Sequence, residues 1–355
     1  MVAGTRAPFH ALTVAAVDAL TDDSAAVTFA VPEGLREQYA FAAGQSLTLR
    51  RMIDGVEHRR TYSICSPAGS APRIGVRVIP DGLFSPWLAH QVRPGDAVEV
   101  QPPAGNFRAD AASGGRHLCI AAGSGITPML SIAATVLGNP ASEVTLIYGN
   151  RTSTSVMFAE ELADLKDAHT GRLDLVHVLS REPRDVDLFS GRLDAERLRR
   201  LLPVLVPASE QDHIWLCGPF GMLTDARTVL DELGVPRSRV HVELFYVDGP
   251  PPELRHPDAV VEGETSAVTV VIDGRHSTTA MPRNATILDS AQRTRTDLPF
   301  ACKGGVCGTC RAKLCAGEVD MVRNYALEPA ELEASFILTC QSFPVSAEVT
   351  VDYDG

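Results

Sequence analysis

The stretch that decides the fold of the C-terminal region is LPFACKGGVCGTC, residues 298–310, which contains three of the chain's eight cysteines. Four residues separate the first two cysteines, two separate the next two, and another follows thirty residues later, giving the set Cys302, Cys307, Cys310 and Cys340. This is the spacing of four thiolates that hold a [2Fe–2S] cluster. Glycines within the loop favour this interpretation, because they permit positive φ and let backbone N–H groups approach bridging sulfides. A tetrahedral zinc site is the alternative, and it would not require those glycines.

At this loop the sequence resembles the plant-type ferredoxin family over residues 264–355. The resemblance implies an α+β ferredoxin-like domain with a small mixed sheet and one helix. Within it, AVTVVIDGRHSTTAM predicts a hairpin around Asp273 and Gly274, and NATILDSAQRT predicts a short helix with Asn284 near its cap. Cys315, in RAKLCAG, is expected to be an ordinary buried thiol rather than a ligand.

Three further regions precede this domain. Residues 248–263 are rich in proline and charge, which predicts an interdomain linker. Residues 113–247 alternate apolar strands with helical segments, which predicts an α/β domain with a parallel sheet and ligands at the carboxyl ends of its strands. Residues 1–112 are short alternating strands divided by Gly and Pro, which predicts an antiparallel β-barrel. The expected fold class is therefore multidomain.

Polar or glycine-rich turns follow three of the predicted parallel strands, at residues 123–128, 180–181 and 217–219. GSGITP opens a helix, a setting in which N–H groups bind a pyrophosphate, although it is not the Rossmann fingerprint. Ser180 and Arg181 suit the 2′-phosphate of NADPH, but a solvated loop arginine is the alternative and leaves NADH possible. In this order the turns resemble the pyridine-nucleotide domain of the ferredoxin–NADP reductase superfamily. The resemblance implies nucleotide contacts at Gly123, Gly125, Thr127, Pro128, Arg151, Ser180, Arg181, Cys217, Gly218 and Pro219.

In the barrel region, RTYS at residues 60–63 matches the R-x-Y-S motif of the same superfamily, and GLFS at 82–85 resembles its second flavin segment. A guanidinium is a bidentate phosphate ligand, an aromatic ring packs on isoalloxazine, and a hydroxyl can hydrogen-bond the atom that accepts hydride. The resemblance implies FAD, with contacts at Arg60, Tyr62, Ser63, Arg77, Val78, Gly82, Leu83, Phe84, Ser85 and Phe245. It also implies three candidate catalytic residues at the redox edge, which are Ser63, Cys217 and Glu243.

The charge and hydropathy of the chain exclude several classes of partner. It carries 44 acidic and 32 basic residues for a net charge of −12, which repels phosphate backbones and argues against nucleic-acid binding. No apolar run reaches the roughly 18–20 residues of a membrane-spanning helix, and MVAGTRAPFHALT at the N-terminus lacks the apolar region of a signal peptide. We therefore expect no membrane partner and a cytoplasmic location.

The three predicted sites form an electron relay, because NADPH delivers hydride, a [2Fe–2S] cluster passes single electrons, and a flavin can do both. The domain order resembles the reductase components of multicomponent oxygenases. Within that family the resemblance is to reductases of ring-1,2-phenylacetyl-CoA epoxidases, through residues 178–194 and 298–341. It implies a path from NADPH through FAD and [2Fe–2S] to a di-iron oxygenase, phenylacetyl-CoA 1,2-epoxidase, in phenylacetate degradation. The twelve acidic and eight basic residues from Glu264 onward suggest an acidic docking face.

Three alternatives remain at this point. The first is a reductase of a steroid or alkane hydroxylase, with the same cofactors and a different partner. The second is a stand-alone NAD(P)H-dependent flavoenzyme in which the cluster is an accessory. The third is a non-enzymatic zinc-bearing scaffold.

Overall fold

A computed structural model describes residues 8–80, 82–110, 112, 114–245, 264–295, 297–300, 303–306, 308–327 and 329–355. One compact unit is Pro8–Phe245, and the described part of a second unit is residues 264–355. The predicted linker, residues 248–263, lies outside the described residues, so the four-part domain division stays a prediction. Among the residues that are described, no helix is long and apolar enough to cross a membrane.

The N-terminal part of the first unit is an antiparallel barrel, as predicted. Its elements are β1 (His10–Thr21), β2 (Ser24–Ala30), β3 (Ser46–Ile53), β4 (Val56–Ser63), β5 (Arg73–Arg77), α1 (Ser85–His90) and β6 (Ala97–Val100). Buried Leu12 and Val14 alternate with exposed neighbours on β1, so the inner face packs a core while the outer face meets water. The strand order is β4-β3-β6-β1-β2-β5, and a bridge between Ile64 and Ile74 joins the two edges.

The second part of this unit is a parallel α/β sheet, also as predicted. Its elements are β7 (Gly115–Ala122), α2 (Ile126–Val136), β8 (Ser142–Asn150), α3 (Ala159–Ala168), β9 (Leu173–Leu179), α4 (Ala195–Leu205), β10 (His213–Gly218), α5 (Phe220–Glu232) and β11 (Val240–Leu244). The strand order is β11-β10-β7-β8-β9, and all pairs are parallel. Cys119 on β7 packs in a core shared with Phe107 of the preceding segment, whereas Leu118 packs in a second core on the opposite face. The strand is therefore apolar throughout, because both faces are covered.

The described residues of the second unit form a mixed sheet with two short helices, whereas the resemblance implied one helix. Its elements are β12 (Thr265–Ile272), β13 (Arg275–Pro282), α6 (Ile287–Ala291), β14 (Arg311–Ala316), β15 (Val319–Met321), α7 (Pro329–Glu333), β16 (Phe336–Leu338), β17 (Ser342–Pro344) and β18 (Glu348–Asp352). The main sheet has the order β13-β12-β18-β14-β16, and β15 pairs with β17. The hairpin prediction is confirmed, since Asp273 and Gly274 both have positive φ between β12 and β13.

Two further details of this unit differ from the sequence prediction. The cap of α6 is Thr286, whose hydroxyl accepts from the Asp289 N–H at 3.2 Å, so Asn284 lies two residues too early. Cys315 is exposed rather than buried, because it lies on the same face of β14 as the exposed Arg311 and Lys313.

Candidate functional site

Three predicted catalytic side chains meet where the barrel packs on the parallel sheet. Cys217 on β10 and Glu243 on β11 are partners in the parallel register. From the end of β4, Ser63 Oγ donates a hydrogen bond to Glu243 Oε2 at 3.0 Å. Ser63 and Cys217 are buried, and Glu243 is half-buried. The packing of the two domains therefore assembles this edge from residues 180 positions apart in the chain.

The Glu243 carboxyl and the Cys217 thiol at this edge both have raised pKa values. Burial raises the pKa of Glu243 from 4.5 to about 8, and the Ser63 hydrogen bond lowers it only in part. Burial also raises the pKa of the Cys217 thiol well above 9.0, and the nearby Glu243 carboxyl raises it further. At neutral pH the edge therefore holds a carboxylic acid and a thiol, with a proton available on the Glu243 carboxyl.

An aromatic wall lies beside this edge on the barrel. Arg60 and Tyr62 are two residues apart on β4 and so share one face. Tyr62 lies 6.2 Å from the Phe84 ring, and Phe84 lies 5.4 Å edge-on from Trp87, both between centroids. Arg60 is exposed, and its Nη1 donates to the carbonyl of Arg59 at 2.6 Å. An aromatic surface beside an exposed guanidinium suits the ring and phosphates of a flavin.

The second predicted flavin segment is held by a local hydrogen bond. The buried Ser85 Oγ accepts from the Ile79 N–H at 2.9 Å, which closes the loop before α1. A Cβ at Gly82 would stand 2.9 Å from the Ile79 carbonyl oxygen, so this tight loop favours glycine. Val78 is half-buried at the start of the loop, and Leu83 is exposed at its tip.

The predicted phosphate turn packs directly on the segment that follows β10. Gly123–Gly125 form one 3-10 turn before α2, and Gly123 has a φ of 56°. The Tyr148 hydroxyl donates to the Gly123 carbonyl at 2.9 Å and fixes the turn. A Cβ at Gly125 would stand only 2.1 Å from the Cys217 carbonyl oxygen. Only glycine allows this approach, which brings two predicted nucleotide segments into contact.

Thr127 and Pro128 occupy the first turn of α2 and are buried. Thr127 Oγ1 donates to the Ser124 carbonyl at 2.8 Å, so this hydroxyl stabilises the turn itself. Proline is tolerated here because the first-turn N–H groups have no intrahelical acceptor. The predicted phosphate contact then falls to the backbone N–H groups of this helix end, and it stays a prediction.

Arg77 extends from the barrel to the phosphate turn. Its Nη2 donates to the Ser155 carbonyl at 2.7 Å, and its Nε lies 3.3 Å from Asp23 Oδ1. Its Nη1 lies 3.3 Å from the position of a Cβ on Gly123. The guanidinium is thus beside the nucleotide turn, and the flavin contact expected from the sequence stays a prediction.

The predicted 2′-phosphate segment lies at the ends of β8 and β9. The Ser180 N–H donates to the Asn150 carbonyl at 2.9 Å, and the Arg181 N–H donates to the Arg151 carbonyl at 2.8 Å. Arg181 is exposed, while Arg151 is 52 % exposed and pairs with Asp23 at 3.5 Å. The ladder therefore places two guanidinium-bearing residues at the carboxyl edge of the sheet.

Asn150 is a residue that sequence reasoning missed. It is 8 % exposed, and neither its Oδ1 nor its Nδ2 has a hydrogen-bond partner among the residues that the structure describes. Buried amides are normally hydrogen-bonded, so an unpartnered one at the carboxyl edge of β8 is a candidate ligand group. The signal in the sequence was one polar amide at the end of the apolar run LIYGN.

The remaining predicted nucleotide residues flank the start of α5 and the end of the unit. Pro219 is the cap residue of α5, and a Cβ at Gly218 would stand 2.7 Å from Met222 Cε. Phe245 follows β11 and packs against the core that the barrel shares with the parallel sheet. These positions surround Cys217 and so border the redox edge.

In the second unit, Cys310 and Cys340 lie in one core. Thr339 joins their segments, because its N–H and hydroxyl both donate to the Cys310 carbonyl, at 3.2 and 3.0 Å. The predicted ligands Cys302 and Cys307 lie outside the described residues. No group of three metal-binding side chains occurs in the described part of the chain, and the four-cysteine set stays a prediction.

The backbone around these cysteines fits an iron–sulfur cluster. Gly305 and Gly308 have φ values of 80° and 65°, as the glycine-rich loop predicted. A Cβ at Gly305 would stand 3.1 Å from Gln341 Cγ, so the loop lies close against the segment that follows Cys340. Thiolate donors in a loop with this conformation suit a [2Fe–2S] cluster.

A flavin-type barrel joined to a parallel nucleotide sheet, with a cysteine-bearing ferredoxin-like unit, defines a class of electron-transfer flavoprotein reductases. Family models match all three parts. Residues 11–109 match the oxidoreductase FAD-binding domain, 119–228 the oxidoreductase NAD-binding domain, and 270–345 the 2Fe-2S iron-sulfur cluster binding domain. The protein is therefore an oxidoreductase that uses FAD, NAD(P)H and a [2Fe–2S] cluster, and the zinc-scaffold alternative is wrong.

Similarity to known proteins extends over nearly the whole chain. One subunit of the 1,2-phenylacetyl-CoA epoxidase of Escherichia coli (strain K12) is 46% identical over 98% of both chains. The ferredoxin reductase component of 3-ketosteroid-9-alpha-monooxygenase from Rhodococcus rhodochrous is 34% identical over 96% of both. The solved structure of phthalate dioxygenase reductase superposes with a TM-score of 0.61 at 25% identity, covering 97% of this chain and 98% of that one. The chain belongs to the family of reductase components of multicomponent oxygenases.

Proposed function

We propose that this protein is the reductase of a phenylacetyl-CoA 1,2-epoxidase and passes electrons from NADPH to a di-iron oxygenase component. Its 46% identity to a subunit of such an epoxidase, against 34% to the steroid monooxygenase reductase, supports this choice of partner. The observation that carries the reductase chemistry is the contact of Ser63, Glu243 and Cys217 beside the Gly125 turn. That contact brings the predicted flavin and nucleotide segments to one edge.

In this proposal the barrel binds FAD through a small set of side chains. Arg60 binds the diphosphate, and Tyr62 packs on the isoalloxazine ring. The loop 82–85 supplies backbone N–H groups and the rigid turn held by Ser85. Ser63 faces the ring, and its hydroxyl is already oriented by Glu243.

The parallel sheet binds the nucleotide at its carboxyl edge. The Gly123–Gly125 turn and the start of α2 supply N–H groups to the pyrophosphate. Ser180, Arg181 and Arg151 bind the 2′-phosphate, which gives the preference for NADPH. The Arg77 guanidinium lies beside this turn, and its position supports a pyrophosphate contact more directly than a flavin one.

When bound, FAD accepts a hydride as an electron pair and releases electrons singly, and the cluster carries them one at a time. The chain's own residues orient and protect that transfer. Cys217 and Gly218 exclude water from the edge because they are buried. Ser63 would lie beside the ring with its hydroxyl donating to Glu243 Oε2, and the neutral Glu243 carboxyl holds its own proton. The edge therefore carries no fixed negative charge at neutral pH.

The proposed partner contact is on the ferredoxin-like unit. Plant-type clusters have reduction potentials of about −400 mV, which is low enough to reduce an oxygen-activating di-iron centre. The excess of acidic over basic side chains in residues 264–355 suits a basic docking surface on the oxygenase. A cytoplasmic location follows from this role.

An anaerobic titration followed by partner reduction tests the proposal. NADPH should bleach the flavin and long-wavelength cluster absorption of the purified protein at a lower concentration than NADH does. The reduced protein should then support turnover with the oxygenase component of a phenylacetyl-CoA epoxidase, at a rate that falls with salt. Turnover with a steroid or alkane hydroxylase component instead would reject the proposed partner. A cluster that stays oxidised while the flavin bleaches would favour the stand-alone flavoenzyme.

A further inference from the structure

Gln341 is a buried amide beside the cysteine segment of the second unit. It directly follows Cys340 and is only 6 % exposed. Its backbone is fixed on both sides, because its N–H donates to the Leu338 carbonyl at 2.8 Å and its carbonyl accepts from the Val322 N–H at 3.0 Å. The position of the side chain is therefore set by the fold rather than by solvent.

The side-chain nitrogen of Gln341 touches both segments that carry predicted cluster ligands. Nε2 donates to the Lys303 carbonyl at 2.9 Å, to the Cys340 carbonyl at 2.8 Å and to Cys340 Sγ at 3.5 Å. An amide nitrogen carries two hydrogens, so three acceptors require one N–H to be shared; the two Cys340 acceptors belong to one residue and suit such sharing. The Gln341 Cγ packs against Gly305, which has no side chain to displace it.

We propose that Gln341 is a positioning residue that raises the reduction potential of the [2Fe–2S] cluster by hydrogen-bonding a ligand sulfur. This rests on the proposed function, in which Cys340 is a cluster ligand. One-electron reduction adds a negative charge that spreads onto the thiolates. A donor aimed at Sγ stabilises the reduced form more than the oxidised form. The same amide holds the Lys303 carbonyl, so it also fixes the loop against the Cys340 segment.

The midpoint potential of the full-length protein tests this role. We would compare Gln341→Leu, which removes the donor, with Gln341→Glu, which keeps the shape and replaces the donor by a carboxylate. Mediated titration with dithionite, followed by EPR, should show lower potentials in both variants. For Leu we expect about a tenfold shift of the redox equilibrium, which is about 59 mV for one electron. An unchanged potential in Gln341→Leu would overturn the proposal.

A matched control separates this effect from a general disturbance of the turn. The neighbouring Ser342 is fully buried, and its Oγ donates to the Leu338 carbonyl at 2.9 Å. Ser342→Ala removes a polar contact from the same turn, and the potential should stay at the wild-type value. An equal drop in Ser342→Ala would show that loosening the turn alone explains the effect, against the proposal.

A measurement on the wild-type protein covers the case in which Gln341 variants do not assemble a cluster. With glutamine side chains labelled with 15N, pulsed EPR of the reduced protein should detect a nitrogen coupling that persists in Gln292→Glu. Gln292 is the control because its Oε1 accepts from Lys303 Nζ in the same loop. Absence of the coupling would overturn the proposal. Iron and sulfide analysis of the wild type separates the role of Gln341 from the proposed function, since a protein without a cluster would refute the proposed function itself.

Discussion

The Glu243→Gln substitution should remove a pH dependence from the stability of the Pro8–Phe245 unit. The pKa of Glu243 is raised from 4.5 to about 8 by burial. The folded protein then holds the proton more tightly than the unfolded chain does. The contribution to the free energy of unfolding is full below about pH 4.5 and is lost as the pH rises through about 8. The two pKa values differ by about 3.5, and a difference of one corresponds to about 1.36 kcal/mol. The loss of unfolding free energy is therefore at most about 5 kcal/mol.

Because the carboxyl is half-buried and water screens part of the penalty, we expect a loss of about 3 kcal/mol. For a unit of this size about 1 kcal/mol shifts Tm by about 2–4 °C. Thermal unfolding of the FAD-loaded protein should therefore be compared between about pH 5 and pH 9. Glu243→Gln should melt about 6–12 °C above wild type at the upper end of this range and close to it at the lower end. Ser63→Ala is the control, since it removes the hydrogen bond and leaves the titrating group. Parallel pH profiles for wild type and Glu243→Gln would refute the reasoning.

Three other outcomes follow from the same structure. Gly125→Ala should keep its FAD, but the rate of flavin reduction by NADPH should fall at least about tenfold, because the new methyl would clash with the Cys217 carbonyl. Stopped-flow bleaching measures this rate, and a wild-type rate would contradict the prediction. Arg181→Gln should raise KM for NADPH about tenfold, which corresponds to about 1.4 kcal/mol, and should leave KM for NADH unchanged. Arg184→Gln is the control, because it removes an equal exposed charge and should change neither KM. Cys340→Ser should lose the long-wavelength absorption and the ability to reduce the partner, while NADPH still reduces the flavin. If this variant still reduced the partner, the cluster would have no role in that electron transfer.

Local patterns were enough to predict the main elements. Alternation at Leu12 and Val14 predicted a strand with one buried face, and the continuous apolar run around Cys119 predicted a strand buried on both. Glycine at positions 123 and 125 predicted a turn before a helix. Each of these signals is short-range, because side-chain period and backbone conformation are set within a few residues.

One error was local, whereas the omissions came from long-range geometry. Cys315 alternates in step with the exposed Arg311 and Lys313 along β14, so the strand period places it on the exposed face. Asn150 and Gln341 are buried polar residues, and their importance appears only when the atoms around them are known. The pKa of Glu243 likewise depends on burial that results from packing two domains together.

Two polar residues of the Pro8–Phe245 unit break ordinary folding rules. A half-buried carboxyl on β11 destabilises the unit above about pH 8, and the Asn150 amide at the edge of β8 makes no side-chain hydrogen bond within the described part of the chain. A protein selected for stability alone would replace both with apolar side chains of similar volume. Both lie in the unit that carries the predicted flavin and nucleotide segments, and Glu243 already holds the hydroxyl of Ser63. The cost in stability is therefore best explained by binding and proton-holding roles, because local rules are violated most often where function requires it.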